Sequence, residues 1–487
     1  MRVLLVYFNP ARDLLPAPPI GMSYVAEATR RAGHAVRVLD LLGRERPLHD
    51  VQEAVRSFDP QAVGISVRNI DNVVRQRPAW HLGELTHVLD TIRRQCPAPI
   101  ILGGPAVSIL GPTALTRLDA DFAVIGEGEM TFPALLAAME TGGRYDDIAG
   151  LCYRDVGSVR STPPSRLPAF GPSGMERWID WSAYERRGGT WAIQTKRGCP
   201  LQCSYCAYPG IEGRTCRMRP AAEVVDEMEH VMRRAHPRTF EFVDSTFNVP
   251  PEHAARICRE IIRRRLDVNL TAMGVNPLGV SASLFGLMRQ AGFNSMMITP
   301  ETASDVMLRS LRKGFTREHV RRTAELAREC GIASAWFFML GGPGETRETV
   351  EETVSFVERH LSWGGCVSIF MTGIRLLPGT ELARRAVAEG HLAPEQDLAE
   401  PAFYLSPEVD EEWILARISR AIGRCPAVVH AAEEGGSAYE RVVARALGLL
   451  GVAPPYWRFL PLLLRVPPVP LLRRRHRPLE ARRPTAR

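Results

Sequence analysis

The chain has 487 residues, of which 45% are hydrophobic and 24% are charged. These values exclude a small disulfide-stabilised domain and an intrinsically disordered chain, and they leave room for two or three domains with cores of their own. The formal net charge is +7, but the last fifteen residues, RRRHRPLEARRPTAR, hold seven arginines and one glutamate. We therefore predict a disordered, solvated basic tail and no nucleic-acid partner; contact of the tail with an anionic membrane or a nucleic acid is the alternative.

Cysteines and apolar segments indicate where the protein resides. The ten cysteines are scattered along a large chain, which is typical of a reducing compartment. The opening MRVLLVYFNP has the pattern of a buried strand and not of a signal peptide. The apolar stretch FLPLLLRVPPVPLL is short for a membrane span and is interrupted by prolines and Arg465. We predict a cytoplasmic protein without stable membrane insertion.

Apolar runs alternate with amphipathic stretches over the first 140 residues. Segments such as GMSYVAEATRRAGH and WHLGELTHVLDTIRRQC have the pattern of helices. The alternation predicts a doubly wound parallel α/β sheet over residues 1–145, which would bind a ligand at the carboxyl ends of its strands. The five predicted strands are RVLLVYF (2–8), AVRVLDL (35–41), AVGISV (62–67), PIILGG (99–104) and FAVIG (122–126).

The composition changes over residues 146–189, where GSVRSTPPSRLPAFGPSG is rich in Pro, Gly and Ser, and we predict a linker. From residue 190 six apolar runs are each followed by a loop and a helical pattern, which predicts an open (βα)6 barrel over residues 190–400. In such barrels the chemistry lies on the loops after the strands. We expect residues 401–487 to form a small, mostly helical region that ends in the basic tail.

Three cysteines, Cys199, Cys203 and Cys206, lie within eight residues of the segment TKRGCPLQCSYCAYPG. The Cys-x3-Cys-x2-Cys spacing suits a loop wrapped around a cluster, and three thiolates leave one iron of a [4Fe-4S] cluster open to another ligand. A zinc site completed by Cys216 or a histidine is the alternative, because zinc usually takes four ligands.

This spacing, with Tyr205 before the third cysteine, resembles the signature of the radical S-adenosylmethionine (SAM) superfamily. Four later segments are similar to that family's barrel motifs in the same order: FVDSTFN (242–248), TPETASDVMLRSLRKGFT (299–316), FFMLGGPGET (337–346) and RLLPGTEL (375–382). The resemblance implies a [4Fe-4S] cluster whose free iron binds SAM through its amino and carboxylate groups. It also implies SAM contacts at Tyr205, Asp244, Ser245, Glu301, Lys313 and Gly341.

Within that pattern, Glu301 would face the ribose and Lys313 the methionine carboxylate. Lys313 is one of only two lysines in the chain, which favours a need for a compact ammonium there. A plain surface lysine is the alternative. The other lysine, Lys196, precedes the cysteines and receives no role.

Small residues follow the predicted strands of the first domain in the motifs GIS, GGPAVS and GEGE. Glycines at such turns let a backbone approach a large ligand closely, although tight turns alone also favour glycine. Their order before a radical SAM barrel resembles the flavodoxin-like cobalamin-binding domain of one subgroup. The resemblance implies cobalamin contacts at Ser66, Gly103, Gly104, Gly126, Glu127 and Gly128. A methylthiotransferase-type domain, with a second cluster, is disfavoured because residues 1–150 hold only Cys96.

The chain is thus similar to cobalamin-dependent radical SAM enzymes of the class B methyltransferase type. The resemblance implies that a methyl group passes from SAM by way of methylcobalamin to an unactivated carbon, or a phosphinate phosphorus, of a small molecule or natural-product intermediate. Ring formation, ring rearrangement or oxidation is the alternative chemistry, and a corrinoid sensor without catalysis would not need the cysteines. The implied cofactors are a [4Fe-4S] cluster, SAM and cobalamin, and the implied partner is an electron donor of the flavodoxin or ferredoxin type.

The substrate and the catalytic residues are not readable from these patterns. SVRNIDNV (66–73) and the region 400–465 are the candidates for substrate specificity. The loop after the first strand, NPARDLLPAPPIG, contains no histidine, and no histidine of residues 1–150 lies in an Asp-x-His-x-x-Gly motif. We therefore expect cobalt without a histidine ligand on its lower face.

Overall fold

The structure is a computed structural model, and it describes residues 1–10, 16–432 and 445–460. The predicted basic tail, most of the apolar stretch before it and part of the loop after the first strand lie outside the described residues.

Seven strands form the first sheet, in the order β2-β1-β3-β4-β5-β6-β7. They are β1 (Arg2–Phe8), β2 (Ala35–Asp40), β3 (Ala62–Val67), β4 (Ile100–Gly103), β5 (Phe122–Val124), β6 (Leu151–Asp155) and β7 (Ser158–Ser161). Strands β1 to β5 pair in parallel. Their order is the flavodoxin-like one, so the predicted doubly wound fold is confirmed.

Helices cover both faces of this sheet, because its central strands are buried on both sides. They are α1 (Ile20–Arg31), α2 (Pro47–Phe58), α3 (His81–Gln95), α4 (Pro105–Leu110), α5 (Thr113–Arg117) and α6 (Gly128–Thr141). Val51 of α2 and Leu85 of α3 belong to the core on one face, and Ala26 of α1 and Leu135 of α6 to the core on the other. The helices cover the faces of the sheet, and the edge at the carboxyl ends of its parallel strands is formed by loops.

The predicted linker contains regular structure that its composition does not reveal. Strands β6 and β7 form a hairpin, and β6 pairs antiparallel with β5, so that the first sheet continues to Ser161. A 3-10 turn (Met175–Arg177) and α7 (Trp181–Glu185) follow. The β6 residues Leu151 and Cys152 are buried against the sheet, whereas the Pro-rich chain after β7 is largely exposed.

A second set of strands forms the barrel. The strands from here onward are β8 (Trp191–Ile193), β9 (Lys196–Arg197), β10 (Arg217–Met218), β11 (Phe240–Phe242), β12 (Leu270–Ala272), β13 (Ser295–Glu301), β14 (Ala333–Leu340), β15 (Cys366–Thr372), β16 (Ile374–Arg375), β17 (Phe403–Tyr404) and β18 (Val428–His430). The parallel groups are β12-β11-β8 and β13-β14-β15-β18. Parallel bridges from Leu270 to Phe293 and from Val275 to Ile298 join the two groups.

The predicted partial barrel is confirmed, with a seventh parallel strand added. Strand β18 pairs with β15 and comes from the region that we expected to be mostly helical. It has only three residues, VVH, which is too short a run to separate from a helix end by pattern. Strands β9 and β10, and likewise β16 and β17, form small antiparallel pairs beside the barrel.

Helices pack against the outer face of the barrel strands, and the buried side chains between them form a large hydrophobic core. They are α8 (Tyr208–Glu212), α9 (Ala221–Arg234), α10 (Pro251–Arg264), α11 (Ala282–Ala291), α12 (Asp305–Ser310), α13 (Arg317–Glu329), α14 (Arg347–His360), α15 (Glu381–Ala388) and α16 (Glu411–Arg424), with 3-10 turns at Pro277–Gly279 and Tyr456–Phe459. Four of them begin at a residue whose side chain accepts a backbone N–H, which stabilises the first turn: Ser281, Thr346, Thr380 and Asp410. Among the described helices, none is long and apolar enough to cross a bilayer.

Candidate functional site

The cysteine loop, residues 198–207, begins at a position that only glycine occupies without strain. Gly198 has φ +94°, and a Cβ there would lie 2.2 Å from the carbonyl oxygen of Thr215. The chain therefore turns sharply out of β9 into the loop. Cys199 is buried and Cys203 and Cys206 are partly buried, and the Cys206 N–H donates to the carbonyl oxygen of Cys203 at 3.3 Å.

The described residues at the cysteine loop do not form a site for a single metal ion, and the binding of a cluster by the three thiols stays a prediction. Within the described ranges, no three Cys, His, Asp or Glu side chains converge closely enough to hold one ion, whereas zinc needs four ligands at about 2.0–2.3 Å. Cys216 lies beside the loop, but its thiol donates to the carbonyl oxygen of Gly198 at 3.5 Å. Burial raises the pKa of the Cys206 thiol to about 12, so its ionisation calls for the positive charge of bound iron. The zinc alternative therefore has no geometric support.

Three of the predicted SAM residues meet beside the cysteine loop. The Tyr205 hydroxyl donates to Glu301 Oε1 at 2.8 Å, and Lys313 Nζ donates to the Tyr205 hydroxyl at 2.9 Å and to the same carboxylate oxygen at 3.4 Å. Lys313 is 2% exposed, so the surface-lysine alternative is wrong. Glu301 has φ +67° and lies where the register between β13 and β14 shifts. A non-glycine residue in this left-handed region is strained, which is typical of a functional position.

The Asp244 carboxylate accepts hydrogen bonds from two residues that precede the cysteine loop. Its carboxylate accepts hydrogen bonds from the backbone N–H groups of Thr195 and Lys196 at 2.7 and 3.1 Å, from the Thr195 hydroxyl at 2.5 Å and from Lys196 Nζ at 3.2 Å. Lys196 is only 1% exposed, although the sequence analysis gave it no role. Asp244 thus anchors the strand that leads into the cysteine loop. Its contact with SAM stays a prediction.

Ser245 and Gly341 also lie at the barrel mouth. The Ser245 hydroxyl donates to Glu212 Oε2 at 2.6 Å, and Glu212 also accepts the Gly198 N–H at 3.2 Å, which ties β11 to the cysteine loop. Gly341 has φ +90° and begins the turn after β14. For both residues the contact with SAM stays a prediction.

A buried carboxyl group, missed by the sequence analysis, holds the turn at Gly341. Glu345 Oε2 accepts the N–H groups of Gly341 and Gly342 at 3.0 and 3.3 Å, and Oε1 accepts the Thr349 hydroxyl at 2.9 Å. Glu345 is fully buried. Burial raises its pKa to about 7 in spite of these hydrogen bonds.

We expect the free energy of unfolding to fall as the pH rises from 4.5 to about 7, and Glu345→Gln to remove part of this fall. The folded state binds the proton more tightly than the unfolded state, so this stabilisation is complete below the unfolded pKa and is lost as the pH rises through the folded one. At about 1.4 kcal/mol per pKa unit, the shift corresponds to about 3.5 kcal/mol. Urea denaturation of both proteins on either side of this window measures the effect. Equal pH slopes in the parent and the variant would contradict it.

The carboxyl edge of the first sheet has an open approach to its backbone. A Cβ added at Gly103 would meet no atom within 4 Å. One added at Gly104, which has φ +94°, would lie 2.7 Å from the carbonyl oxygen of Val67 and 3.1 Å from the Ser66 hydroxyl. Gly104 therefore packs the turn onto β3, while Gly103 borders free space. A backbone open in this way fits a large ligand such as the predicted cobalamin.

The glycines of the GEGE segment lie at the same edge. Gly126 has φ +82° and donates its N–H to the Ser108 hydroxyl at 2.9 Å. Gly128 begins α6, and a Cβ there would lie 2.9 Å from Val25. These contacts explain the glycines by local packing, and contact of either with cobalamin stays a prediction.

The Glu127 side chain contacts residues of the barrel. Its carboxylate pairs with Arg217, lies 3.3 Å from Arg197 Nη1 and accepts the Leu167 N–H at 3.0 Å. Arg197 in turn pairs with Glu129 at 2.6 Å. This network joins the first domain to β9 and β10, directly beside the cysteine loop. A cobalamin contact through Glu127 stays a prediction.

The loop after β3, which contains the proposed specificity segment, docks on the sixth-strand motif of the barrel. Asp71 Oδ2 accepts a hydrogen bond from Arg375 Nε at 2.7 Å, and the two side chains are 2% and 4% exposed. Gln76 donates to the carbonyl oxygen of Thr372 at 3.2 Å, and Arg75 pairs with Glu411 at 3.1 Å. The paired residues are some 300 positions apart in the sequence. No local sequence pattern therefore predicts these contacts.

We expect Arg375→Met to destabilise the protein by about 3–5 kcal/mol, because it leaves Asp71 buried without its cation. The matched control is Arg263→Met, which breaks the exposed helical pair with Glu260 and is expected to cost less than about 1 kcal/mol. Thermal denaturation of both variants, and of the double variant Asp71→Asn with Arg375→Met, measures the coupling. Equal losses in Arg375→Met and Arg263→Met would contradict a structural role for the buried pair.

Comparison with known proteins agrees with this arrangement. The Radical SAM superfamily profile matches residues 193–357, and the B12 binding domain profile matches residues 13–136. The chain is 27% identical over 447 residues to the tryptophan 2-C-methyltransferase of Streptomyces laurentii, covering 77% of this chain and 73% of that protein. It is 26% identical over 352 residues to an anaerobic magnesium-protoporphyrin IX monomethyl ester cyclase of Rubrivivax gelatinosus, covering 69% of this chain and 61% of that one.

A solved structure shares nearly the whole fold. The radical SAM methyltransferase TsrM of Kitasatospora setae, with cobalamin and a [4Fe-4S] cluster bound, aligns with a TM-score of 0.81 and 26% identity over 95% of this chain and 98% of that one. A second structure of TsrM holds tryptophan and a SAM analogue, aza-SAM. The order of the two domains and the cofactors expected from the sequence are those of this group. The chain therefore belongs to the cobalamin-dependent radical SAM methyltransferase family.

Proposed function

We propose that the protein transfers a methyl group from SAM, by way of cobalamin, to an unactivated carbon or a phosphinate phosphorus of a small molecule. When bound, SAM with the cluster supplies a 5′-deoxyadenosyl radical and cobalamin carries the methyl group. In this proposal Cys199, Cys203 and Cys206 hold the cluster, and the edge of the first sheet at Gly103 receives cobalamin. An electron donor of the flavodoxin or ferredoxin type and a cytoplasmic location stay predictions.

One observation carries the proposal: the two candidate cofactor sites adjoin. Helix α4 follows directly after Gly103 and Gly104, helix α8 follows directly after Cys206, and the two helices are in contact. A Cβ added at Gly126 would lie 3.7 Å from the carbonyl oxygen of Ile211 in α8. Ligands at the two sites would therefore face a shared space at the barrel mouth, which methyl transfer between them requires.

The described contacts also indicate how SAM would be received. Lys313 is buried and already pairs with the Glu301 carboxylate, with Tyr205 between them. An incoming SAM carboxylate would compete with Glu301 for this ammonium, and the freed Glu301 would accept from the ribose hydroxyls. Both charged groups are already buried, so binding of a zwitterionic ligand would exchange their partners without removing an exposed protein charge from water.

Support for a small-molecule substrate comes from the tryptophan held in TsrM. A ring-forming reaction is the second candidate, because the chain is also similar to a magnesium-protoporphyrin cyclase. Both reactions would use the same cysteine loop and SAM residues, so these residues do not separate them.

Anaerobic incubation of the reconstituted protein with methyl-labelled SAM and candidate substrates tests the proposal. We expect the label in the product and one methyl group added per turnover. Consumption of substrate with 5′-deoxyadenosine formed, but with no label in the product, would contradict methyl transfer and favour the ring-forming or oxidising alternative.

A further inference from the structure

The inner face of the barrel is lined by methionine and other apolar side chains. Along β14 and β15, Phe337, Met339, Ile369 and Met371 are only partly buried, whereas the alternate residues between them are buried. Because side chains alternate across a strand, these four share the face opposite the helix-covered core. These four side chains therefore keep part of their surface uncovered inside the barrel, and the two methionines among them are flexible and polarisable.

The amino-terminal end of the barrel is closed by the segment 451–460. Trp457 packs with Met297 and Ala335, and Phe337 and Ile369 lie against this cluster, so its ring occupies the inner face. Just before β11, the Thr239 hydroxyl donates to the carbonyl oxygen of Pro454 at 2.6 Å. The C-terminal region thus covers this end of the inner face, which we call the floor of the barrel.

A carboxyl group lies at this floor. Glu241 of β11 is flanked by Phe240 and Phe242, which belong to the outer core, so alternation places Glu241 on the inner face. It is 8% exposed, and its Oε2 accepts the Thr190 hydroxyl at 2.5 Å. Burial raises its pKa, and the charge of Arg68 opposes that rise from a distance, but no described Arg, Lys or His lies within 4.0 Å of the carboxylate. A buried acid without a paired cation is costly unless a ligand supplies one.

A second polar group on the neighbouring strand lacks a partner. Thr271 of β12 is 0% exposed, and among the described residues no group hydrogen-bonds to its hydroxyl. Its neighbours Leu270 and Ala272 belong to the outer core, so Thr271 shares the inner face with Glu241, and β11 and β12 are adjacent with Glu241 opposite Thr271. Glu241 and Thr271 are thus two buried polar groups side by side on the inner face, near the floor of the barrel.

We propose that this floor is a substrate subsite in which Glu241 and Thr271 bind a protonated amine, while the apolar body of the same small molecule packs on the methionine-lined wall above. The inference deepens the proposed function and rests on it: it names the substrate class as an amine with an apolar or aromatic body. An ammonium group matches the site because it donates to both acceptors and replaces the missing cation.

The test uses probes that differ only in the charge of one end. Tryptamine and indole-3-propionate share a ring system, and hexylamine and hexanoate share an alkyl chain. Affinities are measured anaerobically by equilibrium dialysis on the holoprotein. We expect each amine to bind the parent more tightly than its matched acid. Glu241→Gln is expected to weaken amine binding roughly tenfold or more and to abolish the preference, because a charge-assisted hydrogen bond is lost.

Two further variants keep the test decisive. Thr271→Val, which preserves shape, is expected to weaken amine binding severalfold and to report on the subsite even where Glu241→Gln fails to fold. Glu252→Gln makes the same change at an exposed residue of α10 and is expected to leave both affinities unchanged. Failure of the parent to bind any amine, a preference for the acids, or an amine preference that survives Glu241→Gln and Thr271→Val would overturn the subsite.

Iron and corrinoid contents of the same preparations separate this inference from the proposed function. A parent protein that lacks either cofactor would count against the proposed function. A parent that holds both but shows no amine preference would count against the subsite alone.

Discussion

Replacing Cys199, Cys203 or Cys206 by alanine is expected to remove most of the bound iron and all reductive cleavage of SAM. A [4Fe-4S] cluster held by three thiolates has no spare protein ligand, so the loss of one exposes a second iron and destabilises the cluster. The burial of Cys199 and the raised pKa of the Cys206 thiol indicate that neither position is ionised without the metal. Iron and sulfide analysis of the anaerobically reconstituted proteins measures the loss.

The matched control is Cys216→Ala, a fourth cysteine close to the same loop. Its thiol donates to the carbonyl oxygen of Gly198, so we expect its removal to leave the iron content and SAM cleavage near the parent values. Loss of iron in Cys216→Ala to the same extent as in the other three would show that the cluster has four protein ligands, and no open iron would remain for SAM.

Replacing Gly103 by tryptophan is expected to abolish corrinoid binding while the iron–sulfur absorbance is retained. A Cβ added at this position meets no atom of the protein within 4 Å, so the substitution does not clash at the backbone, and we expect the indole to occupy the space proposed for the ligand. Gly104 is a poorer choice, because it has φ +94° and its Cβ would meet the carbonyl oxygen of Val67 at 2.7 Å. A variant there would confuse misfolding with loss of the site.

Gly423→Trp is the control for the size of the substitution. Gly423 lies in α16, and a Cβ there also meets no atom within 4 Å, so this variant is expected to bind cobalamin as the parent does. The measurement is the corrinoid retained per iron cluster after gel filtration. Equal retention by Gly103→Trp and Gly423→Trp would remove Gly103 from the cobalamin site.

Local sequence patterns were sufficient to predict most helices and strands and to single out the motif residues. The central strands β1, β3 and β4 of the first sheet are largely apolar runs, which is what burial on both faces requires. The rarity of lysine singled out Lys313, and the structure buries it between Tyr205 and Glu301. The three-residue strand β18 was missed because so short a run carries no periodicity.

Contacts between distant segments were not predictable. The pairs Asp71–Arg375 and Glu127–Arg217 join the two domains, but a single sequence does not indicate which charges pair across so many residues. The motif resemblance assigned Asp244 to SAM but gave no sign that its carboxylate also accepts hydrogen bonds from Thr195 and Lys196. Glu241 also gave no signal, because a single acid in a strand is distinguished only by the face on which the fold places it.

In the proposed reaction, one chain passes a methyl group from SAM to cobalamin at two adjoining sites. The most direct measurement is anaerobic incubation of the reduced holoprotein with methyl-labelled SAM and no substrate, followed by separation of the protein-bound corrinoid. We expect label in the corrinoid fraction of the parent and none in that of Gly103→Trp. Label that stays in SAM, or leaves it only as methionine, in a parent that holds both cofactors would rule out methyl transfer to cobalamin.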